Sequence, residues 1–373
     1  MKVLAFGSYD LHQNTNTEKL SGLQEVGVEV VQCRNEFWQK KRNRPEYFSG
    51  AAIAWHALRL PLHYAKLLWK YLNAGKYDAM LVLYPGHLDL LLAKPLAFLA
   101  GKKIVFSPFI SAYQNIVFQR NYAGKNSLRA RLFYYLDKVP CILADAIVID
   151  TNAHADYFSK TFGIERKKFR RVFTGAGKAF SPKNTPKNSK FTVLFYGSLI
   201  KGHGIEKILE AAEILRKEDI LFRIAGSGPL REKVEKLVEE KKLGNVELML
   251  EWLPQERIAG LIAGADIGLG LMESTEKTSL VIGNKAYEIL AMKKPLVNAD
   301  GAGIRELVEN GKEAVLCSPN PKAIAEAILL LKNNEGKRKT IAENGYRKFE
   351  QMASTKAIGR EMDKVFKEAL AAE

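Results

Sequence analysis

Short apolar segments that end at glycine or polar turns alternate with amphipathic stretches along most of this 373-residue chain. This alternation is typical of parallel β-sheets whose strands are joined by helices on both faces. In the first half of the chain it predicts strands at 3–6, 28–33, 79–84, 103–106 and 146–149. In the second half it predicts strands at 191–196, 221–225, 246–250, 267–271, 296–299 and 314–317. The sequence therefore predicts an α/β fold.

A segment rich in Pro, Asn, Ser and Lys, residues 179–190, separates the two series of strands. Its low apolar content is typical of a linker. We therefore predict two doubly wound Rossmann-like domains, residues 1–178 and 191–353, facing a central cleft. A final helix, 354–373, is expected to pack back onto the first domain. Ligands of doubly wound sheets bind beyond the carboxyl ends of the strands, so functional residues are expected there.

Several classes of protein find no support in the sequence. The cysteines Cys33, Cys141 and Cys317 are widely spaced, which favours a reducing, cytoplasmic compartment over a disulfide framework or metal site. We recognise no signal peptide, and the most apolar stretch, 79–100, is interrupted by charges and prolines, unlike a membrane span. Neither a hydrolase triad nor an HExxH motif is present.

The net charge of +16 is concentrated in one half of the chain. Residues 1–180 contain 26 Lys and Arg against 13 Asp and Glu, and the remaining residues carry only +3. Such an asymmetry favours an anionic partner, such as a phospholipid surface or a lipid-linked phosphate. The alternative is that the surface simply tolerates lysines. A nucleic-acid partner is not expected, because no recognition module is present.

Two basic stretches of the first domain could lie on a membrane surface. One is a predicted helix at 51–71 that contains Trp55 and Trp69, and the other is the segment 125–138. Tryptophan-rich amphipathic sequence beside basic residues is suited to the lipid interface. The alternative is that the apolar side chains form ordinary core, and we expect this for at least one of the two stretches.

The strongest local signal lies in residues 277–297, where a helix is expected to begin near Asn284. Asn284 and Glu288 would share one helix face, with Lys285 beside them. A helix N-terminus suits a diphosphate, and Lys277 and Lys285 could stabilise the charge of a diphosphate leaving group. Glu288 could accept hydrogen bonds from ribose hydroxyls. The alternative is a surface helix with ordinary charges.

Glycine turns follow the first two strands of the second domain. Gly197 would let a phosphate approach the backbone, while Ser198, Lys201 and His203 would supply hydrogen-bond donors. Gly226 ends the next strand, and we interpret it as structural or as lining the ligand. The dinucleotide-binding fingerprint is incomplete at this second turn.

Candidate residues of the first domain also follow predicted strands. Gly7 ends the first strand, and we include it among the donor-binding residues. His87 could act as a base or bind substrate, or it could be a loop histidine satisfied by backbone groups. Tyr113 and Arg120 lie in a segment rich in aromatic residues and are candidate acceptor contacts.

Taken together, these segments resemble the family 4, or group 1, glycosyltransferases, which share the GT-B architecture of two Rossmann-like domains. The resemblance covers essentially the whole chain and is clearest in FYGSLIKGHGIEKILEAA, FRIAGSGPL, LPQERIAGLIAGADIGLG, NKAYEILAMKKPLV and IRELVENGKEAVL. In the first domain, YPGHLD, SPFISAY and ADAIVIDTNAHADYF resemble members found in prokaryotic surface-polysaccharide and glycolipid pathways.

The resemblance implies a nucleotide-sugar donor bound mainly by the second domain. Glu288 matches the family's ribose-binding glutamate, the turns at Gly197 and Gly226 match those that line the nucleotide, and Trp252 and Leu253 match positions near the base. It further implies transfer with retention of configuration and without a metal. The acceptor, a glycan or a lipid-linked molecule, would bind the first domain at the cytoplasmic membrane face.

The sequence departs from the family pattern at several positions. Leu280 stands where the first of two paired glutamates is usual, and Ser198 stands where an arginine is common. In the first domain, Ser107, Gln114 and Gln119 stand where acidic residues are frequent in the surface-polysaccharide members. We hypothesise that Lys277 and Lys285 compensate, and we take His87, Lys277 and Glu288 as the catalytic candidates. Two alternatives remain open: a catalytically silent, glycosyltransferase-like binding subunit, and a sugar-nucleotide epimerase of the same fold.

Overall fold

The computed structural model describes residues 1–37, 50–119, 122–183 and 188–371. It divides into two compact units. The N-terminal unit comprises Met1–Phe173 together with Ile358–Glu373, and the C-terminal unit comprises Thr174–Ala357. The C-terminal segment of the chain therefore belongs to the first unit.

The N-terminal unit is built on a parallel sheet of six strands. In chain order, these are β1 (Lys2–Gly7), β2 (Glu29–Arg34), β3 (Ala79–Leu83), β4 (Lys103–Ser107), β5 (Ala146–Ile149) and β6 (Phe169–Arg171). Across the sheet the order is β2-β1-β3-β4-β5-β6. The helices are α1 (Asn14–Glu25), α2 (Gly50–Leu72), α3 (Asp89–Leu99), α4 (Ala112–Gln114), α5 (Leu128–Leu143), α6 (Asn152–Phe162) and α13 (Thr355–Ala371).

Two separate apolar clusters cover the two faces of this sheet. On one face, helices α2, α3, α5 and α6 pack against β1 side chains such as Leu4 and Phe6. On the other face, α1 and α13 pack against Val3 and Ala5. Because both faces are covered, β3 is buried along its whole length, which explains its continuous apolar sequence.

The C-terminal unit repeats this plan. Its strands are β7 (Phe191–Tyr196), β8 (Ile220–Ala225), β9 (Val246–Met249), β10 (Ile267–Leu269), β11 (Leu296–Ala299) and β12 (Val315–Cys317). They are parallel, in the order β12-β11-β10-β7-β8-β9. The helices are α7 (Ile205–Ile214), α8 (Arg231–Glu240), α9 (Gln255–Gly264), α10 (Asn284–Ala291), α11 (Pro321–Lys332) and α12 (Glu335–Met352).

One face of the second sheet packs against α7 and α11 through a large apolar cluster that includes Val193 and Phe195 of β7. Helix α10 packs closely against β10, and a Cβ atom on Gly268 would come within 2.6 Å of the Ile289 side chain. Glycine at this position therefore lets the helix lie directly on the strand. The start of α10 lies near the end of β7, where the Tyr196 hydroxyl donates a hydrogen bond to Glu288.

The predicted fold class, α/β with two doubly wound Rossmann-like domains, is confirmed. Each predicted strand is present, with its ends within two residues of those expected. Strand β6 was not predicted, because it is only three residues long and two of these are arginines. Within the described ranges, no helix is both long enough and apolar enough to cross a membrane.

We expected the apolar side chains of at least one of the two basic stretches, 51–71 and 125–138, to form ordinary core. In the structure, neither stretch buries all of them. Helix α2 buries Leu67 but leaves Trp69 67% exposed. Helix α5 likewise buries Phe133 but leaves Leu128 84% exposed. Each helix thus has one apolar face in the core and other large apolar side chains at the surface, because its apolar residues extend beyond a single stripe.

Candidate functional site

Two glycine turns meet at the carboxyl ends of β7 and β8. Gly197 and Gly226 have φ angles of +112° and +132°, in the region that favours glycine. A Cβ atom on Gly226 would collide with the carbonyl oxygen of Gly197. The turns are joined by a hydrogen bond from the Leu199 N–H to the Ser227 oxygen, at 3.1 Å. Because neither glycine has a side chain, a ligand at this edge of the sheet could contact the backbone of both turns directly.

Helix α10 begins at Asn284, as predicted, and the cap residue before it is Gly283. Since Gly283 has no side chain, none caps the helix. The Ala286 N–H donates to the Gly283 carbonyl oxygen, and among the described residues the N–H groups of Asn284 and Lys285 are left for a ligand. Asn284 is exposed, whereas Lys285 and Glu288 are buried, with 7% and 8% of their surfaces accessible. The first five residues of the helix therefore combine open backbone donors with two buried charged groups.

Lys285 is held against β7 and the turn that follows it. Its Nζ atom lies 4.7 Å from the centre of the Phe195 ring and 3.4 Å from Nδ1 of His203. Burial lowers the pKa of this lysine to about 8, although the nearby Glu288 carboxylate acts in the opposite direction. An anionic ligand would favour the charged form of Lys285.

Glu288 receives a hydrogen bond from the last residue of β7. The Tyr196 hydroxyl donates to Oε2 of Glu288 over 2.6 Å. Burial raises the pKa of the carboxyl group to about 7, against the opposing effects of the Tyr196 hydrogen bond and the Lys285 charge. A carboxylate has roughly four acceptor positions, so Glu288 retains capacity for further donors such as ribose hydroxyls.

His203 is part of a short 3-10 turn, Lys201–His203, that follows the Gly197 turn. Its Nδ1 atom lies 2.6 Å from the carbonyl oxygen of Ser198. Since a carbonyl cannot donate, we assign the proton to Nδ1. Burial, together with the charges of Lys285 and Lys277, lowers the pKa of His203 to about 3, so the ring is neutral. Its Nε2 atom is therefore an acceptor, and not the donor that we predicted for a phosphate.

The other predicted residues of the C-terminal unit lie around this core. Ser198 and Lys201 are exposed. Lys277 is in the segment between β10 and α10, and its charge acts on His203. In the segment after β9, Trp252 is 82% exposed and Leu253 is buried. The structure therefore brings together Lys285, Glu288, His203 and Lys277, with Tyr196 as a residue that the sequence analysis missed.

In the N-terminal unit, His87 follows β3 and is buried. Its Nδ1 atom lies 3.2 Å from the Pro85 oxygen, and its Nε2 atom lies 3.4 Å from Oδ1 of Asp137. The interpretation of His87 as a loop histidine satisfied by backbone groups therefore accounts for only one of its two ring nitrogens. The other nitrogen faces a carboxylate that the sequence analysis did not identify.

Asp137 is fully buried on α5 and organises the chain after β4. Its carboxylate accepts hydrogen bonds from the Ser111 hydroxyl at 2.7 Å and from the N–H groups of Ala112 and Tyr113 at 3.0 and 2.9 Å. The Tyr113 ring packs edge-on against Tyr134, with centroids 5.7 Å apart. The ring is half-buried against the core, and its role as an acceptor contact stays a prediction.

A second buried aspartate, Asp89, lies at the start of α3. It accepts hydrogen bonds from the N–H and the hydroxyl of Ser8, both 2.7 Å long, and lies 3.0 Å from Nε2 of His63. A Cβ atom on Gly7 would come within 2.5 Å of this carboxylate. In the N-terminal unit, Gly7 therefore makes room for Asp89. The predicted acceptor residue Arg120 lies outside the described residues.

In the part of the chain that the structure describes, no group of three or more His, Cys, Asp or Glu side chains could hold a metal ion.

Comparisons with known proteins match the C-terminal unit to a family. Residues 178–348 match the model described as "Glycosyl transferases group 1". Alpha-D-kanosaminyltransferase of Streptomyces kanamyceticus is 28% identical over 47% of this chain and 45% of its own. A capsular polysaccharide biosynthesis glycosyltransferase of Staphylococcus aureus is 23% identical over 48% of this chain and 46% of its own. The predicted resemblance to the group 1 glycosyltransferases, including surface-polysaccharide members, is confirmed.

The likeness of fold extends over both units. The structure of Anabaena HepE in complex with UDP has a TM-score of 0.70 to this chain, with 15% identity, and covers 99% of this chain and 100% of HepE. At this identity the likeness concerns the fold alone. The chain spans less than half the length of the curated relatives that it matches first.

Proposed function

We propose that the protein is a glycosyltransferase that transfers a sugar from a nucleotide-diphosphate sugar to an acceptor. The observation that carries this proposal is the buried Lys285–Glu288 pair near the start of α10, next to the glycine turn after β7. A buried, incompletely neutralised pair at the carboxyl edge of a doubly wound sheet is typical of a ligand site. The pair also lies within the segment that matches the family model.

In the proposed donor complex, Glu288 accepts hydrogen bonds from the ribose hydroxyls. The Tyr196 hydroxyl already occupies one oxygen and fixes the plane of the carboxyl group. Because the pKa of Glu288 is about 7, donors from the ribose would favour its ionised form. Ribose recognition and carboxylate ionisation are therefore coupled.

The diphosphate is proposed to bind the open N–H groups at the start of α10, with Lys285 and Lys277 supplying positive charge. As the bond to the sugar breaks, negative charge accumulates on the leaving diphosphate, and fixed cations stabilise it. Lys285 and Lys277 would supply the positive charge that an arginine at the position of Ser198 commonly supplies in the family. We accordingly propose metal-independent transfer, with retention of configuration as in the family resemblance.

A thermal-shift experiment with UDP, GDP, ADP and dTDP tests the donor site. UDP is the first candidate, because HepE is described in complex with it. We expect one nucleotide to stabilise the wild type and the control Glu239→Gln, an exposed substitution on α8, but not Glu288→Ala. Equal stabilisation of Glu288→Ala would contradict the assignment, and no stabilisation by any nucleotide would contradict the function.

A catalytically silent binding subunit is the second candidate, because Leu280 offers no carboxylate where the family pairs two glutamates. Donor turnover separates the candidates. Release of nucleoside diphosphate with transfer of the sugar supports the enzyme. Tight donor binding without hydrolysis or transfer to any acceptor would favour the silent subunit, and conversion of the donor sugar into an isomer would indicate an epimerase.

We further propose that the enzyme acts peripherally at the cytoplasmic face of the membrane, on a lipid-linked or glycan acceptor of surface-polysaccharide synthesis. Helices α2, α3 and α5 cover the same face of the N-terminal sheet and expose large apolar side chains. These are Trp55, Leu58, Leu62, Trp69, Leu72, Leu91, Phe98, Leu99, Leu128, Leu132, Tyr135 and Ile142. Exposed basic residues lie on the same helices: Arg59, Lys66, Lys70 and Arg131.

An apolar face with interspersed cations fits an anionic bilayer better than a neutral protein surface. Sedimentation with vesicles of phosphatidylcholine, with and without added anionic phosphatidylglycerol, tests this surface. We expect salt-sensitive binding to the anionic vesicles that is lost in Leu62→Ser/Trp69→Ser and kept in Ile214→Ser, a control at an exposed site on α7. Equal binding by all three proteins, or none by the wild type, would contradict the membrane proposal.

A further inference from the structure

The segment from Ser107 to Gln119, which we name the β4–α5 loop, has an unusual backbone. Phe109 has a φ angle of +61°, although it has a side chain. Helix α4 continues directly into a π-helical turn, Asn115–Gln119. Both features are less stable than regular structure and recur at functional sites. The side chains of this loop are therefore candidates for ligand contacts.

The loop is fixed in place through Asp137. Its carboxylate binds the Ser111 hydroxyl and two backbone N–H groups of α4. The Ser111 hydroxyl in turn accepts a hydrogen bond from the N–H of Gln114, at 2.9 Å. The backbone of Gln114 is therefore held to the buried Asp137 carboxylate by two successive hydrogen bonds, through the Ser111 hydroxyl.

The side-chain amide of Gln114 is buried but has no hydrogen bond to any described residue. This holds for both Oε1 and Nε2, and the residue is only 2% exposed. The Ser107 hydroxyl, at the start of the same loop, is likewise buried and unpaired within the described residues. Buried polar groups without partners destabilise a fold, so their presence together requires an explanation.

We propose that Gln114 and Ser107 bind hydroxyl groups of a sugar, and that this is the acceptor subsite of the N-terminal unit. The inference rests on the proposed function and makes the recognised end of the acceptor a neutral carbohydrate. An amide offers one donor group and one acceptor group, which suits neighbouring hydroxyls that can each donate and accept. A phosphate suits the loop poorly, since the fully buried Asp137 carboxylate beneath it is negative.

A binding role and a structural role of Gln114 predict opposite changes in stability. If the amide awaits a ligand, Gln114→Leu removes unpaired polar atoms at similar volume, and the melting temperature of the ligand-free protein rises by about 2–4 °C. If instead the amide is satisfied within the fold, for instance through a buried water, the same substitution lowers the melting temperature. Ser107→Ala provides a second, smaller change that is expected in the same direction.

The binding arm uses saturation-transfer NMR on the full chain with the methyl glycosides of glucose, galactose, mannose and N-acetylglucosamine. We expect at least one glycoside to give a signal with the wild type and with Gln24→Leu, a matched control at an exposed site on α1. The signal should fall at least tenfold in Gln114→Leu. No signal with the wild type, an undiminished signal in Gln114→Leu, or a lowered melting temperature in both loop variants would overturn the proposal.

A thermal shift with UDP, measured on the same samples, separates this inference from the proposed function. Nucleotide binding that persists while no glycoside binds overturns the acceptor subsite alone. Loss of both kinds of binding in the wild type contradicts the donor site as well. Retained nucleotide binding in Gln114→Leu, with glycoside binding lost, supports a subsite that is specific for the acceptor.

Discussion

In the N-terminal unit, the buried carboxylate of Asp137 accepts hydrogen bonds from the Ser111 hydroxyl and from two backbone N–H groups. In the C-terminal unit, the buried carboxylate of Glu288 accepts only one hydrogen bond from the described residues, that of Tyr196. Both groups lie near the carboxyl ends of strands. The first has nearly all the partners that it can take, whereas the second retains unused capacity.

This difference assigns the two carboxylates to different tasks. A buried charge with many hydrogen bonds holds the elements that supply them, so Asp137 stabilises the start of the β4–α5 loop. A buried charge with few partners is costly in the free protein, and a ligand that supplies the missing partners recovers that free energy. The C-terminal site therefore keeps a binding group short of partners, and in the N-terminal unit the buried side-chain atoms without a partner include those of Gln114 and Ser107.

The largest expected effect is on turnover, from Lys285→Met. Removing a buried cation from the diphosphate site should lower kcat by about 10²–10³-fold, as for the loss of other fixed groups that stabilise a leaving charge. Steady-state kinetics with the nucleotide sugar identified by thermal shift would measure this. Lys322→Met, at an exposed site on α11, is the matched control and should keep full activity.

A smaller loss for Lys285→Met, below about tenfold, would indicate that Lys277 or the helix N-terminus carries the charge stabilisation. In that case the double substitution Lys277→Met/Lys285→Met should show the large effect. If the double variant remained active, the assignment of the diphosphate to this end of α10 would be wrong.

The next effect concerns stability and compares the two carboxylates directly. Asp137→Asn places an amide N–H₂ group against existing donors, and we expect the free energy of unfolding to fall by about 2–3 kcal/mol. Glu288→Gln removes a charge that is poorly compensated, so its change should stay within about 0.5 kcal/mol or be stabilising. Urea denaturation of both variants checks the contrast, and equal losses would remove the distinction that we draw.

Much of the fold was accessible from the sequence, because the apolar strand segments are continuous and end at glycine or polar residues. The start of α10 was also predictable, since the helical segment from Asn284 follows a flexible Gly283. Strand β6 was missed because Phe169-Arg-Arg carries more charge than apolar character. The local sequence thus predicted each strand whose own residues are mostly apolar, and missed the strand whose residues are mostly charged.

Contacts between side chains that are distant in the sequence were harder to predict. Tyr196 and Glu288 are 92 positions apart, and no local pattern connects them. A usable signal did exist for Asp137, because it lies on the buried stripe of α5 with Phe133 and Cys141, four positions away on either side. An acidic residue within an apolar stripe requires a buried partner, and that partner proved to be the loop after β4.

The smallest effect is a pH dependence that the Lys285–Glu288 pair of the C-terminal site should produce. The Glu288 pKa is raised from 4.5 to about 7, so the native state retains a proton that the unfolded state releases, and stability falls between pH 4.5 and 7. The Lys285 pKa is lowered from 10.5 to about 8, so the unfolded state holds the extra proton, and stability rises between pH 8 and 10.5. The contribution of the pair is therefore least favourable between pH 7 and 8.

Other groups titrate over the same range, so the measurement is a difference between proteins. We expect the double variant Glu288→Gln/Lys285→Met to gain about 1–2 kcal/mol over the wild type near pH 7.5, and the gain to shrink toward pH 5 and pH 10. Saturating nucleotide should abolish the minimum in the wild type, because the diphosphate and ribose supply the partners that the free site lacks. A gain that is independent of pH would mean that packing, and not the buried charges, distinguishes this site from the hydrogen-bonded network around Asp137.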